Sequence, residues 1–123
     1  VENISFGTTS PNEIKKAISF RFNQFGWADK VKIVDSKLTV SYVKSKVGIC
    51  FQIGNVARTY ADILKLSKLY KIGVIDVGII IVPDNPESKK MGANYANYNR
   101  LVKELELFKD IVTIPILVIA LSN

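Results

Sequence analysis

The sequence predicts an α/β fold built on a mixed central sheet, and three observations carry that expectation. Residues 37–53 alternate apolar and polar positions on either side of Lys44-Ser45-Lys46, the pattern of two antiparallel strands joined by a tight hairpin. Two later runs, 74–82 and 113–121, are nearly all β-branched or apolar, as expected of strands covered on both faces. Each of these runs follows a stretch of helical period, so each is entered through a crossover helix and lies parallel to the second hairpin strand. The resulting order is α-β-β-β-α-β-α-β, with flanking helices, no internal repeat and no low-complexity tract.

Length and composition set the bounds. The 123 residues, 48% of them apolar, suffice for one domain spanning 1–123 and are too few for two. A start at Val1 rather than Met suggests a chain lacking its native N-terminus. A formal charge of +6 favours a polyanionic partner, since lysine and arginine gain by displacing counterions from a phosphate backbone. An ordinary lysine-rich surface gives the same total. A single cysteine cannot form an internal disulfide, which fits a reducing compartment and a cytoplasmic location. The absence of histidine removes the usual zinc ligand and the usual general base, so zinc chemistry and Ser-His catalysis are excluded. Residues 1–10 hold neither a basic nor an apolar leader region. The longest apolar run, Ile111 to Leu121, contains Thr113 and Pro115 and falls well short of the roughly 20 residues of a membrane span. It reads as a buried strand.

In chain order, Ser10 reads as an N-cap, with Pro11 at the first helical position and Glu13 completing a capping box. Ile14, Ala17, Ile18, Phe22 and Phe25 then recur at helical spacing, and Gly26 stops the helix before Trp27. A short strand is expected at Val31–Val34. Leu38, Val40 and Tyr42, then Val47, Ile49, Phe51 and Ile53, give the inward faces of the hairpin. Gly54-Asn55 predicts a turn with Asn55 as N-cap. Val56, Tyr60, Ile63, Leu64 and Ser67 then fall on one face of a helix reaching about Tyr70 and closed by Gly73. Val74–Val82 is a central strand containing Asp76, and residues 83–94 are a polar loop. Tyr95, Tyr98, Leu101, Val102, Leu105 and Phe108 mark another helix, and Thr113–Leu121 the last strand. Trp27, Tyr60, Ile79, Ile81, Leu101 and Leu105 are expected in the core.

The hairpin is cationic. No Asp or Glu lies between Ser36 and Ala61, whereas Lys37, Lys44, Lys46 and Arg58 do. Lys44, Lys46, Asn55 and Arg58 are the candidate phosphate contacts, because cations and helix N-termini both favour anions; the alternative is a solvated turn. Lys65, Lys68 and Lys71 make a stripe that reads as a solubilising face. Asp62 reads as a solvated helix charge, and Asp76 as an acid answering a lysine or a backbone amide.

The run Val40-Ser-Tyr-Val-Lys-Ser-Lys-Val-Gly-Ile-Cys-Phe-Gln-Ile-Gly-Asn55, with Ala57-Arg-Thr-Tyr-Ala-Asp62 and Ile75-Asp-Val-Gly-Ile-Ile-Ile-Val-Pro83, resembles the BglII-type restriction endonucleases. The resemblance extends from about Trp27 to Leu121. It implies the restriction-endonuclease-like core in αβββαβαβ order, a DNA partner, Mg²⁺-dependent hydrolysis of duplex DNA and a homodimer. In that family the strand pair carries an Asp followed, nine positions later, by Glu-x-Gln. The matching positions here are Ser41, Cys50 and Gln52, so both acids are replaced. Mg²⁺ takes oxygen ligands, usually carboxylates with substrate phosphate, and neither Ser41 nor Cys50 supplies a carboxylate. Glu13 is the best substitute acid, against its capping role. The candidate catalytic set is therefore Ser41, Cys50, Gln52 and Glu13, with no metal ligand assigned and Mg²⁺ supported by resemblance alone. Three readings stay open: an endonuclease lineage that has lost cleavage, a DNA-binding module that never cuts, and an assembly or regulatory subunit.

Overall fold

The computed structural model describes residues 10–84 and 96–122. Its elements are α1 (Pro11–Gln24), β1 (Ala28–Lys32), β2 (Thr39–Lys44), β3 (Val47–Phe51), α2 (Arg58–Lys71), β4 (Val77–Pro83), α3 (Tyr98–Leu107) and β5 (Ile116–Leu121). The five strands form one sheet in the order β1-β2-β3-β4-β5. The first three pair antiparallel, and β3, β4 and β5 run parallel, with β4 and β5 each reached through a helix. This is the predicted mixed sheet.

The local signals explain most of the boundaries. Ser10 Oγ accepts the Glu13 amide at 3.3 Å and the Glu13 carboxylate accepts the Ser10 amide at 3.4 Å, so the capping box forms as read. Helix α1 ends at Phe25, and Gly26 turns away with φ +84°. Gly73, with φ +81°, closes α2 in the same manner. Helix α3 is capped by Asn97, whose side chain accepts the Arg100 amide at 2.9 Å. The expected start of that helix near Tyr95 lies outside the described residues, as does most of the expected polar loop.

Two apolar layers sandwich the sheet. On one face, α1 sets Ile14 and Ile18 against Tyr42, Ile49, Phe51, Ile53 and Ile81. Phe22 stacks on Tyr42 with ring centroids 4.2 Å apart and meets Trp27 edge-on at 5.6 Å. On the other face, α2 and α3 bury Ile63, Leu66, Leu69 and Leu101 against Val40, Cys50, Ile80 and Val82. Leu66 is fully buried where Gly48 of β3 and Gly78 of β4 lie side by side in register. A Cβ built on Gly48 would stand 3.1 Å from Leu66 Cδ2, and one on Gly78 3.0 Å from Leu66 Cδ1. The paired glycines form the groove that lets α2 approach the sheet so closely.

Several positions depart from the sequence reading. Strand β1 runs Ala28–Lys32 rather than Val31–Val34, and the left-handed φ of 52° at Val34 keeps the expected C-terminal end out of the strand. Tyr60 and Leu64 are exposed, and the buried face of α2 is Thr59, Asp62, Ile63, Leu66 and Leu69. Ile63 belongs to both stripes, so periodicity alone allowed either, and the glycine groove selects the one containing Leu66. Ala17, Phe25 and Leu38 are also exposed. Of the expected core, Ile81 and Leu101 are buried, whereas Trp27, Ile79 and Leu105 are half-buried. Asp76 precedes β4, and its amide donates to the Lys46 carbonyl at 2.8 Å. The last strand is not buried: β5 is a sheet edge, with Leu117 55% and Ile119 38% exposed. Among the described residues no helix is long and apolar enough to cross a membrane.

The Leu66 seat makes a coupled prediction. Leu66→Ala is expected to cost about 2–5 kcal/mol by opening a cavity, and Gly78→Ala about 1–3 kcal/mol by overpacking. The double variant should cost less than the two added together, because the new Cβ enters the vacated space. Urea denaturation of the four proteins measures this, and strict additivity would contradict the groove.

Candidate functional site

Beyond the Tyr42–Ile49 pair the strands β2 and β3 part, and a cleft of about 460 Å³ opens there. Strands β2 and β3 contribute Ser41, Tyr42 and Cys50, with Gln52 just past the end of β3; α1 contributes Lys15 and Ser19; α2 contributes Arg58, Ala61, Asp62 and Lys65. Parallel β3 ends at the cleft and α2 begins beside it, so the topology places helix residues next to strand ends.

The polar groups of the cleft are largely engaged with one another. Ser41 Oγ accepts the Phe51 amide at 2.9 Å, taking a donor left free where the ladder ends. Gln52 Nε2 donates to Asp62 Oδ2 at 2.9 Å, and Gln52 Oε1 accepts the Gly54 amide at 2.9 Å. Both ends of that buried amide are therefore satisfied, as burial requires. Asp62 is 5% exposed, and Lys65 Nζ stands 3.9 Å from its Oδ1. Burial raises the Asp62 pKa, opposed by the Gln52 hydrogen bond and by the charges of Lys65 and Lys15. Burial, and then the neighbouring Asp62 charge, push the Cys50 thiol far up, so it stays protonated. On the opposite wall the Tyr42 hydroxyl shares a 2.7 Å hydrogen bond with Ser19, and burial raises its pKa as well.

The structure thus brings Ser41, Cys50, Gln52 and Arg58 to one cleft. It does not bring Glu13, which is exposed and caps α1. Lys44 and Lys46 are also elsewhere, at the hairpin, six residues and roughly 20 Å from Gln52 along β3. Lys44 Nζ donates to the Phe25 carbonyl at 2.6 Å and Lys46 Nζ to the Gly73 carbonyl at 2.9 Å. Both serve helix C-termini, where a cation is favourable. Asn55 is not the N-cap of α2, since the cap position is Ala57 without a side-chain hydrogen bond. Its Oδ1 instead accepts the Ala57 amide at 2.9 Å, an Asx turn one step ahead of the helix.

Asp62, Lys15 and Lys65 are the cleft residues that sequence reasoning missed. The expectation of a solvated helix charge at Asp62 does not hold, because α2 turns the Leu66 face inward and buries Asp62 with it. The signal was present in Leu66 and Leu69, which put Asp62 on their own face at i−4 and i−7.

A family comparison now bears on this geometry. Residues 2–121 match the model of the family described as Restriction endonuclease BglII/BglIII. The chain belongs to that family. No curated protein is a detectable match. Mg²⁺ is the metal implied by that family resemblance, and the residues present do not fit it. Ser41 offers a hydroxyl already accepting an amide, Cys50 a protonated thiol, and Gln52 an oxygen already in use. The cleft has two carboxylates in its lining, Asp62 and Asp29, and among the described residues no group of three His, Cys, Asp or Glu is placed to hold an ion.

The raised pKa of Asp62 sets a pH dependence. The folded state holds the Asp62 proton more tightly than the unfolded chain does, so this group's contribution to stability falls as pH rises from the unfolded value toward the folded one. Asp62→Asn removes that contribution while Asn can still accept from Gln52. Wild type should therefore lose ground against Asp62→Asn as pH increases through the carboxylate range, measured by chemical denaturation at several pH values. A difference that grows in favour of wild type would contradict the burial of this carboxylate.

Proposed function

We propose that this BglII-family chain binds duplex DNA without hydrolysing it. The carrying observation is the replacement of the acid pair by the Ser41 hydroxyl and the buried Cys50 thiol, with the one neighbouring carboxylate, Asp62, held by Gln52. Metal-assisted phosphodiester cleavage needs an ion to activate water and to stabilise charge on phosphorus, and this donor set leaves it no place. The basic total and the cations around the cleft support the DNA partner. A dimer that matches a two-fold DNA site and a cytoplasmic setting are part of this reading through the family.

The alternative of an assembly or regulatory subunit differs in one measurable respect: its affinity for DNA would not fall steeply with salt.

Two measurements test the proposal. Plasmid DNA incubated with the protein and Mg²⁺ or Mn²⁺ should show no nicking above background, while a labelled duplex should bind with strong salt dependence. The double substitution Ser41→Asp, Cys50→Glu should lower the thermal midpoint without metal, because it adds carboxylates beside buried Asp62, and Mg²⁺ should restore it. Efficient cleavage by the unmodified chain would defeat the non-cleaving reading. A double variant indifferent to Mg²⁺ would defeat the assignment of Ser41 and Cys50 to the acid positions.

A further inference from the structure

Four cations line the cleft, Lys15, Lys30, Arg58 and Lys65, against two carboxylates, Asp29 and Asp62. Among the described residues no side-chain hydrogen bond or salt bridge engages Lys15, Lys30 or Arg58. Lys15 of α1 and Lys65 of α2 both line the cleft, and Lys65 Nζ stands 3.9 Å from Asp62 Oδ1. Arg58 stands at the first position of α2, close to Gly54 at the strand end.

The charge balance of such a place is informative. A divalent cation held by two carboxylates is neutral as a unit, because the ion cancels the acids. Replacing both acids with Ser41 and Cys50 and dispensing with the ion leaves the same place neutral again. The surrounding lysines and arginine then act on an incoming anion at undiminished strength. Retaining the acids without the ion would have repelled a phosphate; losing the ion and the acids together does not. Asp62, with Lys65 at 3.9 Å, offsets one of these charges, and the four cations lining the cleft still outnumber Asp29 and Asp62 by two.

We propose that the cleft is a metal-independent phosphate site in which Lys15, Arg58 and Lys65 bind a phosphate group of a DNA strand directly. The proposal rests on the DNA-binding reading above and goes beyond it by naming the group bound and the side chains that bind it. A cleft of about 460 Å³ has room for one nucleotide unit. The phosphate is either an internal diester or the monoester of a strand end, and the chemistry is the same for both.

Fluorescence anisotropy with a labelled duplex decides the matter, read in EDTA and in Mg²⁺. Affinity should be the same within about twofold in the two buffers. The triple substitution Lys15→Gln, Arg58→Gln, Lys65→Gln should weaken binding at least about tenfold and flatten the salt dependence by up to about three counterions. Thermal denaturation checks its folding, and the pair Lys15→Gln, Arg58→Gln, which leaves Lys65 beside Asp62, serves if the triple variant does not fold. The charge-preserving pair Lys15→Arg, Lys65→Arg should bind as wild type. Competition by a 5′-phosphorylated duplex over its unphosphorylated twin assigns the monoester, and equal competition by covalently closed circles assigns the diester. Loss of binding in EDTA, or unchanged binding by the neutralised variants, overturns the site while leaving DNA binding itself intact. Wild type that ignores DNA yet binds inorganic phosphate, with that binding lost on neutralisation, defeats the DNA reading and keeps the site. Absence of both overturns both.

Discussion

The packing of Leu66 into the groove between Gly48 and Gly78 fixes the rest of the arrangement. A helix cannot lie that close to a sheet over side chains with a Cβ, and here two adjacent parallel strands each lack one at the contact. The close approach sets both the height and the rotation of α2. One turn earlier on the same face is Asp62, so seating Leu66 carries this carboxylate to Gln52 and Cys50 at the strand end. Arg58, one turn earlier still, is carried to the rim of the same cleft. The packing of the core and the composition of the cleft are therefore a single constraint.

Inside the cleft, the hydrogen bonds show how polar side chains are accommodated at the strand ends. A buried carboxylate alone is costly, and a half-satisfied polar cluster is worse than an apolar one. Asp62 receives a donor from Gln52, with Lys65 beside it, and Gln52 spends its remaining oxygen on the Gly54 amide. Each partner fixes the next. Ser41 does similar work across the strand gap by accepting the Phe51 amide. Ser41 and Gln52 thus serve as internal structural contacts at the open end of the strand pair.

The hairpin shows how charge in a sequence can mislead about location. Lys44 and Lys46 give the acid-free window its basic character, yet each reaches a carbonyl at the end of a helix, one from α1 and one from α2. Their ammonium groups complement the helix termini and tie the hairpin to both faces of the sheet. The cations that gather around the cleft come instead from residues scattered along the chain: Lys15, Lys30, Arg58 and Lys65.

The sequence by itself determined the element order, the antiparallel hairpin, the two parallel strands with their helices, the capping box at Ser10 and Glu13, and the stops at Gly26 and Gly73. These are local matters, set by period, caps and backbone freedom within a few residues. It also pointed to the family, because the residues that carry the resemblance lie at fixed spacing along the hairpin and the strand that follows. Tertiary structure alone decided which stripe of α2 faces inward, since Ile63 satisfied both periodicities and only the glycine groove could choose. It also decided that Asp62 is buried, that β5 is an edge, and that the hairpin lysines stand at the far end of the sheet from Arg58. Each of these depends on which surfaces meet across the fold, and no local pattern of residues carries that information.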